Sequence, residues 1–314
     1  SSLGDGTLTV SVTLTDTAGN AGGAVTSTAG KDILSPTGYA TNFVTSPVNN
    51  SNKASVTARI TGAEVGTTYA YSITSSGGGT AVTRSGTITS ATQNFTGLNL
   101  TGLADGTLTA EIVLTDISLN VGSPVTVSTT KDIVIPTGYA VTYGTLPINS
   151  SNANAVTLSV TGAEVGTTYS YTVTSSGGGA PVTGTATVSA TSFSITGVDL
   201  SGLSDGTFTA TMTITDTNGN AGSPVMVTTS VDTSAPTGYS VAYSTPAIND
   251  ANKSSVDMTI SSAEVGATYA YSISSSGGGA PVTGTGTISS ATQNITGLDL
   301  SSLGDGTLTV SVTL

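Results

Sequence analysis

The sequence predicts an all-β chain made of tandem β-sandwich domains with a 100-residue period. Two observations lead to this prediction. Apolar residues alternate with Thr-rich positions, as at Leu108, Ala110, Ile112 and Leu114, and a two-residue period is typical of a half-buried strand. The same segments then return every 100 residues without insertion or deletion. Repetition on this scale indicates an array of similar folding units.

Four short signatures carry the repeat and fix its register. Asp-Gly-Thr begins at 5, 105, 205 and 305, Pro-Thr-Gly-Tyr at 36, 136 and 236, Ala-Glu-Val-Gly at 63, 163 and 263, and Ser-Ser-Gly-Gly-Gly at 75, 175 and 275. We predict the last of these as a flexible turn. Residues 1–14 are identical to residues 301–314, which indicates a segment taken from a longer array.

The period divides the chain into four predicted domains. Residues 1–31 are the strand F and G part of a truncated domain, 32–131 and 132–231 are complete, and 232–314 lacks its last strand. Within 32–131 the pattern predicts strands A to G at 38–46, 54–61, 67–75, 82–89, 93–100, 107–116 and 124–131. Seven strands in about a hundred residues predict an Ig-like sandwich. The Cys and Trp of antibody domains are absent, so the likeness is architectural.

Composition excludes several classes of function. Six Lys and Arg against eighteen Asp and Glu give a formal charge of −12, which repels nucleic acid. The absence of His and Cys removes imidazole and thiolate catalysis, and carboxylates repeated inside linkers would face no substrate cleft. We therefore predict no enzyme activity. No apolar run approaches the roughly 18 residues of a membrane span, so we expect no membrane contact within this segment.

The acidic residues recur in register, whereas the basic residues do not. Thirteen of the eighteen carboxylates fall on the positions of Asp5, Asp16, Asp32 and Glu64. Lys31 and Lys131, by contrast, become Val231. Acids that repeat without repeating basic partners are not expected to be explained by salt bridges.

A seven-stranded Greek key predicts where these acids meet. End-to-end stacking brings the EF loop of one domain to the linker and to the BC and FG loops of the next. Three or four carboxylates in one cleft suit Ca²⁺, which takes six to eight oxygen ligands. The predicted calcium ligands are Asp5, Asp32, Glu64, Asp116 and Asn120 at the first junction, Asp105, Asp132, Glu164, Asp216 and Asn220 at the second, and Asp205, Asp232 and Glu264 at the third.

Three of the four acidic positions also have a local interpretation. Asp5-Gly6 is a common turn sequence, Asp16 and Asn20 fit an Asx-stabilised loop, and Asp32 can cap a strand. Glu64 has no special turn chemistry.

The residues at these positions resemble a known family. Leu-x-Asp-Gly-Thr before an alternating strand, Thr215-Asp216-Thr217-Asn218-Gly219-Asn220, and Val231-Asp232 before Pro236 resemble the Ig-like repeats of giant bacterial surface adhesins, including biofilm-associated and RTX-type adhesins. The resemblance implies a secreted extender stiffened by interdomain calcium, with the linker Asp, FG-loop Asp and BC-loop Glu residues as ligands. Ile117-Ser118-Leu119-Asn120 departs from the loop pattern because it lacks the Gly.

Two functions follow. The first is the structural extender, or stalk, of a bacterial cell-surface adhesin, which contacts neighbouring repeats of its own chain. The alternative is a subunit of a self-assembling extracellular filament, sheath or surface layer, in which copies also pack laterally.

Overall fold

The computed structural model describes residues 3–314, and these form antiparallel β-strands joined by turns. They fall into two compact units, which divide in the sequence between Val231 and Asp232. The first unit holds a hairpin followed by two complete sandwiches, and the second holds six strands. Within 3–314 no helix is long and apolar enough to cross a membrane.

The strands of the first unit follow the predicted repeat. The hairpin consists of β1 (Gly6–Val12) and β2 (Val25–Lys31). The first sandwich contains β3 (Ala40–Phe43), β4 (Val56–Thr61), β5 (Thr68–Ser75), β6 (Val82–Thr87), β7 (Gln93–Leu98), β8 (Gly106–Thr115) and β9 (Val125–Lys131). The second contains β10 (Ala140–Tyr143), β11 (Val156–Thr161), β12 (Thr168–Ser175), β13 (Val182–Thr187), β14 (Phe193–Val198), β15 (Gly206–Thr215) and β16 (Val225–Val231).

Each complete sandwich packs a three-stranded sheet against a four-stranded one. The sheet orders are β3-β4-β7 with β6-β5-β8-β9, and β10-β11-β14 with β13-β12-β15-β16. The predicted all-β, seven-stranded, Ig-like fold is thereby confirmed. The fourth strand pairs with the third, whereas in antibody constant domains it joins the sheet of strands A, B and E.

The alternating residues form the core, as their pattern predicts. Leu108, Ala110, Ile112 and Leu114 on β8 are all fully buried. The two sheets meet through aromatic rings as well, since the ring centroids of Tyr71 and Phe95 lie 5.0 Å apart. Each sandwich of the first unit has its own cluster of buried apolar side chains, so each buries its core independently.

Strand A is shorter than its predicted range of 38–46. Its ladder with β4 covers Ala40–Phe43, the N–H groups of Val44 and Thr45 still donate to the Thr57 carbonyl of β4, and the chain then crosses to the opposite sheet. There the N–H of Val48 donates to the Thr130 carbonyl at 2.9 Å, and the N–H of Asp132 donates to the Val48 carbonyl at 3.0 Å. The chain therefore bonds both sheets of the sandwich, an arrangement that a single run of alternating residues does not indicate.

The Pro-Thr-Gly-Tyr signature ties the start of each complete domain to its FG loop. The Tyr39 hydroxyl donates to the Ser123 carbonyl at 2.6 Å and accepts from the Leu114 N–H at 3.4 Å. Tyr139 makes the equivalent bonds to Ser223 and Ile214. The hydroxyl is thus satisfied on both sides, which explains why Tyr recurs at this position.

The second unit contains six strands. They are β17 (Ser240–Tyr243), β18 (Val256–Ser261), β19 (Thr268–Ser275), β20 (Val282–Thr287), β21 (Thr292–Leu298) and β22 (Leu308–Thr313). Their sheet orders are β17-β18-β21 and β20-β19-β22. Among the described residues β22 therefore has one strand neighbour, whereas β8 and β15 each have two.

Leu119 occupies a backbone conformation that suits glycine. Its φ is 69°, and Gly219 at the same loop position has a φ of 83°. The Leu119 side chain is 79% exposed, so it gains little from burial. The loop at 116–120 still closes as its counterpart does, because Asp116 and Asn120 make the same hydrogen bonds.

Replacing Leu119 with Gly should stabilise the first sandwich. A left-handed conformation costs a non-glycine residue about 1–2 kcal/mol, and the extra unfolded-state entropy of Gly offsets about 0.5–1 of that. We expect the free energy of unfolding to rise by about 0.5–1 kcal/mol, measured by chemical denaturation. Leu119→Ala is the matched control, because it removes the same exposed side chain but keeps the Cβ. Equal stability of the Gly and Ala variants would show that the left-handed conformation at residue 119 does not destabilise the sandwich.

Candidate interdomain junction

The FG loop of the second sandwich is organised by one carboxylate. Asp216 Oδ1 accepts the N–H groups of Asn218 at 2.9 Å and Asn220 at 2.8 Å, and Oδ2 accepts Asn220 Nδ2 at 2.7 Å. Asp16 and Asp116 hold their own loops in the same way. The structure thus shows the Asx-stabilised loop that the local interpretation of Asp16 predicts.

These hydrogen bonds change the acidity of the loop carboxyls. The side-chain bond from Asn20 is the largest cause that lowers the pKa of Asp16. Burial raises the pKa of Asp116, but the side-chain and backbone bonds from Asn120 more than offset it, so that the pKa ends below its ordinary value. Both loops therefore favour the ionised carboxylate.

Asn220 joins the two sandwiches of the first unit. Its side chain is inside the junction, with 2% of the residue exposed. Nδ2 donates to Asp216 and also to the Asp132 carbonyl at 2.9 Å, while Oδ1 accepts the N–H of Asn50 at 2.7 Å. Asn50 belongs to the loop after strand A of the first sandwich. One carboxamide therefore bonds its own loop, the linker and the preceding domain.

Asn218 adds a second set of contacts across the same junction. Its Nδ2 donates to Asp132 Oδ2 at 3.0 Å, and its Oδ1 accepts the Thr130 hydroxyl at 3.2 Å. Its backbone carbonyl accepts Asn49 Nδ2 at 2.9 Å. The loop between strands A and B, which is absent from the predicted ligand set, thus supplies two of the contacts through Asn49 and Asn50.

Asp105 forms an ion pair that the sequence argument excluded. Lys131 Nζ lies 2.9 Å from Asp105 Oδ1 and donates to the Leu103 carbonyl at 2.8 Å, and the lysine side chain is 1% exposed. Lys31 pairs with Asp5 at 3.3 Å in the hairpin. The expectation that the recurring acids lack basic partners is therefore wrong for Asp5 and Asp105. The register of β8 with β9, which pairs Gly106 with Lys131, could have revealed this contact.

The linker carboxylates are held by local and interdomain donors. Asp132 Oδ1 accepts the N–H of Val134 at 2.9 Å, and Asp32 and Asp232 accept N–H groups two residues onward in the same manner. At the first junction Asn120 Nδ2 donates to the Asp32 carbonyl at 3.2 Å. Ser118 stands there in place of Asn218, so the second set of contacts has no counterpart.

The BC-loop glutamates do not join the other predicted ligands. Glu64, Glu164 and Glu264 are exposed, and their backbone carbonyls accept hydrogen bonds from the residue three positions onward. Asp205 lies in the first unit, whereas Asp232 and Glu264 lie in the second. Across residues 3–314 no group of three Asp, Glu, His or Cys side chains is placed to hold a metal ion.

The donor set at the second junction does not form a ready calcium cage. The carboxylates of Asp105, Asp132 and Asp216 already accept hydrogen bonds from Lys131, Asn218 and Asn220. A cation would have to displace these donors, and one of them is itself a cation. This arrangement is suited to hold two domains through amide–carboxylate contacts.

No protein-family model matches the chain, and none of the curated proteins matches it. It is similar to a solved structure of a tetra-tandem repeat in the extending region of a large adhesion protein, at 29% identity, over 98% of this chain and 77% of that one, with a TM-score of 0.32. A structure of a 1.5-MDa bacterial ice-binding adhesin matches at 18% identity over 87% and 96%, with a TM-score of 0.33. Fibronectin(III)-like modules of Clostridium thermocellum CbhA match at 12% identity over 62% and 94%, with a TM-score of 0.37. Adhesin repeats are thus among the structures that this chain resembles.

Removing the Asn220 carboxamide should loosen the junction. In Asn220→Ala the N–H of Asn50 loses its acceptor, and a hydrogen bond of about 1–1.5 kcal/mol corresponds to about tenfold faster amide exchange. Hydrogen-exchange mass spectrometry of the peptide containing Asn50 measures this. Asn20→Ala is the matched control, because Asn20 makes the same bonds within its loop but none to a preceding domain. Equal exchange in both variants would contradict the proposed contact.

The Lys131–Asp105 pair should make the first sandwich sensitive to acid. Burial raises the pKa of Asp105, but hydrogen bonds from Lys131 and from the Ile133 N–H lower it below its ordinary value. A depressed folded-state pKa gives stability that is present above the unfolded-state pKa of about 3.9 and is lost as the pH falls through the folded value. Asp105→Asn should therefore flatten the acid limb of a plot of unfolding free energy against pH, relative to the parent. An unchanged limb would show that the pair is not formed.

Proposed function

We propose that the chain is an extender segment, or stalk, of a bacterial cell-surface adhesin and acts outside the cell. The observation that carries the proposal is the junction of Asn218, Asn220 and Asp132 with Asn49 and Asn50, because it gives consecutive repeats a side-chain connection beyond the linker itself. Contacts of this kind restrict the orientation of each domain relative to the domain before it. The adhesin repeats that the chain resembles are consistent with this role.

The composition supports an extracellular array. Charged residues make up 8% of the chain, and the outward faces of the strands are rich in Thr and Ser. A stalk needs no pocket of its own, and its reach is set by the number of repeats. Strands of about eight residues at about 3.3 Å per residue span about 26 Å, so a domain with its linker advances about 40 Å.

Deleting one period tests the extender role. Removal of residues 132–231 joins Lys131 to Asp232 and preserves the register of the repeat. We expect the maximum dimension from small-angle scattering to fall by about 40 Å, which is the length of one domain and its linker. Folding of the remaining domains should be unchanged in their thermal transitions. A dimension that stays within a few ångströms of the parent would contradict an extended array.

Calcium stiffening remains a prediction within this proposal. Binding at the second junction would require the exposed Glu164 carboxylate to move to Asp132 and Asp216, and Asp105 to give up its bond to Lys131. Extracellular modules bind Ca²⁺ with dissociation constants of about 10⁻⁴–10⁻³ M, so calcium at ten times such a value should stabilise the protein by about 1.4 kcal/mol. Because the Glu164 carboxylate has no hydrogen bond or ion pair among the described residues, calcium is the expected cause of any effect of its substitution by Gln.

Differential scanning calorimetry with and without a chelator tests the metal. Chelation should lower the melting temperature of the parent, and Glu164→Gln should reduce that change. Glu111→Gln is the matched control, because Glu111 is an exposed acid on the face of β8, away from the linker and the FG loop. A melting temperature that is the same with calcium and with chelator would refute the calcium prediction. It would not contradict the hydrogen bonds observed at the junction.

A further inference from the structure

The FG loop of the second sandwich contains the one Asn-Gly pair of the sequence, at Asn218 and Gly219. Asn218 is half-buried in the junction, whereas Gly219 is exposed and has a φ of 83°. A glycine has no Cβ to shield its backbone nitrogen. The same loop positions hold Ser118-Leu119 in the first sandwich and Ala18-Gly19 in the hairpin. The chemistry of an Asn-Gly pair is therefore confined to this repeat.

An accessible Asn-Gly pair undergoes a covalent rearrangement in water. The backbone nitrogen of the glycine loses its proton, and its electron pair attacks Cγ of the asparagine. The bond from Cγ to Nδ2 then breaks, and Nδ2 leaves as ammonia. Water opens the resulting five-membered succinimide at one of its two carbonyls, which gives aspartate or isoaspartate. The reaction consumes one water, releases one ammonia and needs no oxidant or reductant.

The closed junction holds both reacting groups of this pair. Asn218 Nδ2 donates to Asp132 Oδ2 at 3.0 Å, and Asn218 Oδ1 accepts the Thr130 hydroxyl at 3.2 Å. The Gly219 N–H donates to the Asp216 carbonyl at 3.2 Å. Ring closure removes the proton of that N–H and expels Nδ2, so it breaks both of the hydrogen bonds that these groups donate. The contacts of the closed junction therefore oppose the reaction.

The product cannot form the same junction again. Aspartate at position 218 has no N–H to donate and places a second carboxylate against Asp132 Oδ2, where like charges repel. Lys131, the neighbour of Asp132 in the linker, is already paired with Asp105. Isoaspartate also routes the backbone through the side chain, which displaces the carbonyl that accepts Asn49 Nδ2 at 2.9 Å. Deamidation therefore weakens the contacts between the two sandwiches.

We propose that Asn218-Gly219 is a site of spontaneous deamidation that the junction between the two complete sandwiches controls. The closed junction protects the asparagine, and opening of the junction releases the carboxamide for ring closure. The carboxylate that forms is repelled by Asp132, so the junction passes irreversibly from a restrained to a loose state. The inference rests on contacts between residues 49 and 219 and does not depend on the stalk function or on calcium.

Peptide mapping by mass spectrometry during incubation at constant pH tests the protection. The native 314-residue chain should deamidate at Asn218 at least about tenfold more slowly than the same chain unfolded in guanidinium chloride. Combining Thr130→Val with Asp132→Ala removes both interdomain partners of the carboxamide and should raise the native rate about tenfold. Thr130→Val alone should give a smaller rise, and it tests the same contact if the double variant does not fold.

Asp32→Ala is the matched control for these rates. Asp32 Oδ1 accepts the Leu34 N–H as Asp132 Oδ1 accepts the Val134 N–H, but Asp32 lies in the other linker. Its removal should leave the deamidation of Asn218 at the parent rate. Equal native rates in the parent and in both Thr130 variants, or a native parent rate as fast as that of the unfolded chain, would overturn the proposal.

Hydrogen exchange of the peptide that contains Asn49 and Asn50 tests the effect of the product. Asn218→Asp reproduces the deamidated side chain and should make this peptide exchange about tenfold faster than in the parent. Asn218→Ser is the matched control, because it removes the same carboxamide without adding charge, and it should accelerate exchange less. Exchange in Asn218→Asp that is no faster than in Asn218→Ser would overturn the proposal, since repulsion from Asp132 would then not keep the junction open.

Discussion

The junction between the two complete sandwiches depends on a buried carboxamide whose polar atoms are all bonded. Asn220 is enclosed between domains, and a buried polar group without partners would cost about 1–3 kcal/mol. Its bonds to Asp216, the Asp132 carbonyl and the Asn50 N–H remove that cost only when the linker and the preceding domain are in place. The same side-chain atoms therefore stabilise the FG loop and fix the orientation of one repeat relative to the next.

The fold was predictable from the sequence because its main signals are local. Alternation such as that of Leu108 to Leu114 identifies both a strand and its buried face, and the observed β8 differs from the predicted strand F by one residue at each end. Strand A was less predictable, since its partner changes between Thr45 and Val48 and neighbouring residues do not encode that change. The turn at 75–79 was predicted to be flexible, yet a Cβ on Gly77 would lie 2.1 Å from the Asp105 carbonyl oxygen and one on Gly79 would lie 2.4 Å from that of Gly102, so close packing requires glycine at these two positions.

The sequence indicated where the acids of the junction lie, but not which residues form hydrogen bonds with them. The recurring acids do lie in the linker and in the FG loop, as their register indicated. Their partners could not be found from acidic periodicity, because Asn49, Asn50 and Asn218 are uncharged and come from distant parts of the chain. Lys131 was set aside because Val231 replaces it, although a single repeat can use an ion pair where another buries a valine. Sequence periodicity therefore shows which positions recur in every repeat, but it does not show which partner a residue has in a given repeat.

The most direct test of this account measures the relation between the two sandwiches of the first unit. Spin labels on Ser85→Cys and Thr187→Cys, at exposed positions on β6 and β13, report one distance by pulsed electron paramagnetic resonance. We expect a narrow distance distribution that broadens when Asn218→Ser and Asn220→Ala are combined in the same chain. Distributions of equal width in the parent and in the double variant would contradict it.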